Sequence, residues 1–153
     1  MIKMKIEKST VIIVMLLGIV FVSGCEQPSQ PAYIPKVDFI VSPTAIDVND
    51  NQISNLIAVT ITKKDTENKP TNFVLKFTPS NPDYAYPIDA ESNEKVEQKE
   101  TGNLTTYGRE FKYQFKVFGK KVSGQPISPW KIDIELLYNN TTLNERSLDI
   151  TVK

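Results

Sequence analysis

Two neighbouring stretches decide the fold: REFKYQFKVFG (Arg109–Gly119) and SPWKIDIELLYNN (Ser128–Asn140). In the first, Phe111, Tyr113, Phe115 and Val117 alternate with Lys112, Gln114 and Lys116. In the second, Trp130, Ile132, Ile134, Leu136 and Tyr138 alternate with Lys131, Asp133 and Glu135. Successive side chains of a strand point to opposite faces, so each stretch predicts a strand with one apolar face and one wet face. β-Branched and aromatic residues fill the apolar positions, as pleated, half-buried surfaces favour.

The same period of two extends outward in both directions. Val37, Phe39 and Val41 form one set, Ile57, Val59 and Ile61 a second, and Phe73, Leu75 and Phe77 a third. Leu148, Ile150 and Val152 close the chain. Turn-rich segments separate the runs: KKDTENKP, FGKKVSGQPISP and YNNTT, where Asn139 and Asn140 suit the positive φ of a two-residue type I′ hairpin. Ala90–Glu100 has Val96 as its only sizeable apolar residue and reads as a loop or an edge strand. About seven short antiparallel strands with no helical stripe predict an all-β, two-sheet sandwich over residues 36–153, each sheet hiding one face against the other. The two quoted stretches resemble immunoglobulin-like domains of bacterial and archaeal surface proteins. Unlike antibody-type domains, this chain has no pair of core cysteines, and its tryptophan comes late.

The single cysteine sits where an apolar run ends and a proline-rich stretch begins. Lys3, Lys5 and Lys8 precede an uncharged run from Val11 to Val22, followed by the small residues Ser23 and Gly24 and then Cys25. That order is the layout of a secretory signal peptide. The run is well short of the ~20 residues that span a hydrocarbon core as a helix. VSGC (Val22–Cys25) resembles the lipobox of prokaryotic membrane lipoproteins. The resemblance implies a leader over residues 1–24, cleavage before Cys25 and a thioether-linked lipid on its sulfur, with the chain held at the extracytoplasmic face of the cell membrane; the alternative is an uncleaved signal anchor with an incidental cysteine, which leaves the rest of the chain on the same side. Each buried CH₂ of such a chain contributes about 0.8 kcal/mol to anchoring. Residues 25–35, with Pro28, Pro31 and Pro35, then read as an extended linker; at about 3.1 Å per residue it reaches roughly 30 Å.

Composition narrows the function. The chain has 153 residues, with Lys and Arg (18) balancing Asp and Glu (18), so no basic footprint points to nucleic acid. Histidine is absent, which removes the usual proton shuttle and transition-metal ligand; one cysteine permits neither an internal disulfide nor a cysteine zinc site. No cofactor and no metal are expected. Asp47, Asn49 and Asn51 start like a calcium loop, but Gln52 and Ala58 stand where glycine and glutamate are required. Without a buried carboxylate pair or a histidine base, the reading is not an enzyme.

The richest surface in the sequence is SNPDYAYPIDAES (Ser80–Ser92), read as an end loop whose Asp83, Tyr84, Tyr86, Asp89 and Glu91 are candidate contacts for a protein or glycan partner. The bland alternative is a tyrosine capping the core, with solvated acids around it. Asn103, Asn139 and Asn140 head Asn-X-Thr triplets and are candidate glycosylation positions. The expected function is a non-enzymatic binding module. The alternative is a structural subunit of an envelope or surface-layer assembly, using a sheet edge or face. A transporter's solute-binding protein is disfavoured, because one small sandwich has no second lobe to close.

Overall fold

The computed structural model describes residues 32–153, within which Pro35–Lys153 forms one compact unit. Cys25, the leader and most of the proline-rich linker lie outside the described residues. Ten strands run in chain order: β1 (Val37–Ser42), β2 (Ala45–Val48), β3 (Gln52–Ile53), β4 (Ile57–Lys63), β5 (Thr71–Pro79), β6 (Ala85–Asp89), β7 (Gln98–Leu104), β8 (Glu110–Gly119), β9 (Ser128–Tyr138) and β10 (Thr141–Val152). They make two facing sheets, an immunoglobulin-like β-sandwich, and no helix occurs among the described residues.

In the first sheet β1 pairs with β4 and β4 with β8. Residues Phe118 and Gly119 pair with both β3 and β6, so those two strands flank β8 on opposite sides. The second sheet runs β2–β10–β9–β5–β7. The chain leaves the first sheet after Ser42, passes the cis Ser42–Pro43 peptide, and joins the second at Ala45.

Every apolar set read from the sequence lies on a strand, and its members point inward. Ile57, Val59, Ile61, Phe115 and Val117 from one sheet meet Phe73, Leu75, Ile132, Ile134, Leu136 and Leu148 from the other, all fully buried. At the centre the Phe77 and Phe115 rings meet edge to face, 5.1 Å apart. Fully burying an aliphatic or aromatic side chain contributes about 1.5–3 kcal/mol, and this layer supplies what a disulfide would otherwise add. The β9–β10 hairpin turns on Asn139 (φ 48°) and Asn140 (φ 61°), the backbone expected there.

Three expectations need correction. The described residues hold ten strands rather than about seven, because β2, β3 and β6 are too short to show a period of two. The sandwich is not wholly antiparallel, since β2 runs parallel to β10. And Ser80–Ser92 is not one loop: its middle, Ala85–Asp89, is strand β6. Pro87 is tolerated there because β6 is at the side of the sheet. The Lys120 amide donates to the Tyr84 carbonyl, so even-numbered residues of β6 bond β8 and the nitrogen of Pro87 faces away from it.

Candidate functional site

Strand β6 spreads the five candidate contact residues over three surroundings. A turn leads into it, with the Tyr84 and Ala85 amides donating to the Asn81 carbonyl and the Asp83 amide to Asn81 Oδ1. Asp83 is exposed on this turn. Tyr84 folds back over the end of the sandwich and stacks on Trp130, with centroids 5.1 Å apart and planes at 24°. Trp130 Nε1 donates to the Lys120 carbonyl at 3.1 Å, and the Lys120 ammonium lies 5.9 Å from the Tyr84 ring. Tyr84 is thus a lid on the core.

Tyr86 points the other way, onto the outer face. It stacks on Phe118, 5.0 Å away at 23°, with the Lys95 ammonium 5.6 Å from its ring. Phe118 in turn stands opposite Ile53, which is 51% exposed. Ile53, Phe118 and Tyr86 form a short apolar row across β3, β8 and β6 on the solvent side. The sequence reading missed Ile53 and Phe118. The signal for Phe118 was its place out of phase with Phe111–Val117, which puts an aromatic ring on the wet face.

Asp89 faces inward and is buried. Its Oδ1 accepts from the amides of Glu91 (2.9 Å) and Ser92 (3.0 Å); its Oδ2 accepts from the Tyr113 hydroxyl (2.9 Å) and Lys99 Nζ (3.2 Å). Four donors on one carboxylate, the Ser92 amide foremost, hold it well below the usual carboxylate range against the upward push of burial. Burial, with the bond to Asp89, raises the Tyr113 hydroxyl well above the normal tyrosine range. Lys99 also lies 5.1 Å from the Tyr113 ring. Asp89 therefore organises the turn and the seam between the sheets from beneath, while Glu91 is exposed on the turn itself.

Beside this cluster lies a cleft of about 550 Å³, walled by Ala90, Glu91, Lys99, Phe111, Lys112 and Tyr113 among others. Among the described residues no group of three or more acidic, cysteine or histidine side chains is gathered as a metal site. Asp47 of the calcium-like stretch instead pairs with Lys153. Asn103, Asn139 and Asn140 are all exposed, Asn103 on edge strand β7 and the other two in the last hairpin.

A second buried charge was not foreseen. Lys63, fully buried at the end of β4, donates to the carbonyls of Glu67 (2.7 Å), Lys69 (2.7 Å) and Thr105 (3.2 Å) and pairs with Asp65 at 3.4 Å. It ties two loops to the bottom of the sandwich.

No protein-family model and no curated protein sequence matches this chain. Among solved structures it is similar to domains 4 and 5 of the S-layer protein SbsC, at 15% identity and a TM-score of 0.48 over 78% of this chain and 46% of that one. It is also similar to the periplasmic chaperone SfaE (9% identity, TM-score 0.42, 76% of this chain and 57% of that one). A third is the ASH/PapD-like domain of human CEP192 (13%, 0.41, 81% and 90%). The chain spans about half the length of the first two, and the fold assignment rests on the strand ladders described above.

Proposed function

We propose that this protein is a non-enzymatic binding module, anchored by a lipid on Cys25 at the extracytoplasmic face of the cell membrane, that contacts a protein or glycan of the envelope. The binding part of the reading is supported by the apolar row Ile53–Phe118–Tyr86 on the solvent face of a sheet, flanked by Lys95. Amphipathic rings with nearby cations are common at recognition surfaces, where one side is dry and one wet. The anchor is supported by the order of charge, apolar run, small residues and cysteine in the first 25 positions.

Two experiments test it. Envelope fractions are passed over the immobilised protein, wild type against Tyr86→Ser. Loss of a captured partner in the variant is expected, and its retention refutes the row as the contact. Tyr84→Ala is not the right probe, because Tyr84 caps the core. Separately, cells fed labelled palmitate should label the wild type and not Cys25→Ser; an unlabelled wild-type chain ends the lipoprotein reading.

A structural role in an envelope assembly is the second reading, and edge strand β1 favours it. The Lys64 amide bonds the Lys36 carbonyl, so the odd residues Val37, Phe39 and Val41 turn their main-chain groups away from β4, and Ile40 is 56% exposed beside them. Retention of the partner by Tyr86→Ser, with loss on a charge at Ile40, assigns the contact to that edge.

A further inference from the structure

Strand β8 is longer than the strand beside it. On its β4 side it is paired from Glu110 to Phe115; on its β6 side it is paired only from Phe115 to Gly119. There the chain turns away. Asp89 fixes the turn through the Glu91 and Ser92 amides, and the Ala90 amide makes the last bond to β8, at the Gln114 carbonyl, 3.3 Å. From Glu110 to Tyr113 no described residue pairs with that side.

The ladder shows which main-chain groups this leaves open. Arg109 accepts from the Lys63 amide, so odd residues of β8 bond β4 and even residues face away from it. The N–H and C=O of Glu110 and Lys112 therefore point away from β4, on the side where the 550 Å³ cleft lined by Lys112 lies. Four residues of open edge measure about 13 Å. Phe111 faces inward, yet it is only half-buried and lines the cleft. Lys112 and Glu91 are exposed beside the cleft, while Lys99 reaches inward from β7 to the Asp89 carboxylate. Among the described residues, Lys112 pairs with Glu110, at 3.3 Å in a solvent-exposed pair. Such a pair contributes little, so another carboxylate can replace it.

We propose that this slot receives a strand of a partner protein, a short extended segment with one carboxylate between two apolar side chains, laid antiparallel along Glu110–Tyr113 where β6 leaves off. Its central residue exchanges main-chain hydrogen bonds with Lys112 and sets its carboxylate on the outer face beside that ammonium. The residues on either side turn inward, one over the half-buried Phe111 and the other beside Tyr113, which Asp89 and Lys99 already cover. Main-chain bonds supply the affinity and the alternating side chains supply the selection. The contact is separate from the Tyr86 row.

The probe is acetyl-Thr-Val-Glu-Val-Thr-amide, titrated into the full chain in detergent micelles, with amide exchange followed residue by residue by NMR. Saturable binding with new protection at the Glu110 and Lys112 amides is expected. A twin methylated on the glutamate nitrogen should bind at least about tenfold more weakly, having lost a main-chain donor and gained a clash. Lys112→Glu should weaken the glutamate peptide and favour its lysine analogue, while Tyr86→Ser changes neither. Absence of saturable binding at millimolar peptide overturns the proposal, as does protection at Phe39 on the β1 edge instead, or equal affinity for the methylated twin. Equal affinity for the glutamate and lysine peptides overturns the carboxylate.

Discussion

Asp89→Asn isolates the charge of the seam with almost no change of shape. Asparagine keeps Oδ1 and with it the Glu91 and Ser92 amides. At the other position an NH₂ replaces an acceptor; the Tyr113 hydroxyl can rotate to accept from it, but Lys99 Nζ, 3.2 Å away, loses its partner. Hydrogen bonds to a charged group contribute about 1.5–3 kcal/mol against about 1 for neutral ones. Removing one member of a fully buried pair costs about 3–5 kcal/mol. Lys99 is 38% exposed and recovers water, so the cost falls below that range, at about 2–3 kcal/mol and roughly 10 °C in Tm. The pH dependence carries the argument. The folded carboxylate titrates well below the unfolded value of about 3.9, so above pH ~5 its contribution is complete, and it is lost as pH falls through the folded pKa. Urea unfolding followed by fluorescence of the single tryptophan, Trp130, reads both proteins. The gap between wild type and Asp89→Asn should be constant from pH 8 to about 5 and narrow below about 4. A gap under about 1 kcal/mol at pH 7, or one of equal size at pH 2.5, refutes the reasoning.

Other perturbations follow from the same packing. Lys63→Met strands three carbonyls and Asp65 in a dry site and should cost about 3–5 kcal/mol by urea unfolding, with part of the loss recovered in Lys63→Met/Asp65→Asn. Gly119→Ala places a methyl 2.8 Å from Val152 Cγ2 and 3.1 Å from Val48 Cγ1, and overpacking of this kind costs about 1–3 kcal/mol, seen as a lower urea midpoint with unchanged slope. Tyr84→Ala uncovers Trp130 and should red-shift its emission and lower stability by about 2 kcal/mol, while Tyr86→Ser on the outer face changes stability by less than about 1 kcal/mol.

The alternation in Phe111–Val117 and Trp130–Tyr138 determines two faces per strand, and six such sets determine a layered all-β domain, because side-chain period is a property of the extended backbone alone. Asn139–Asn140 likewise fixes a hairpin, since positive φ is tolerated locally. Parity even points Lys63 inward, two residues after Ile61, although only the carbonyls of Glu67, Lys69 and Thr105 explain how an ammonium remains there. Strand β6 escaped the pattern because its inward residues are Ala85, Pro87 and Asp89, none of them a strand signal. Asp89 reads as a solvated acid until Lys99 and Tyr113, ten and 24 positions along the chain, are brought to its oxygens. Where β6 stops short along β8 is likewise a matter of pairing. Local periodicity sets which side of a strand is dry; which strand lies beside it, and where that neighbour ends, depends on contacts between distant parts of the chain, and so does the chemistry at the seam.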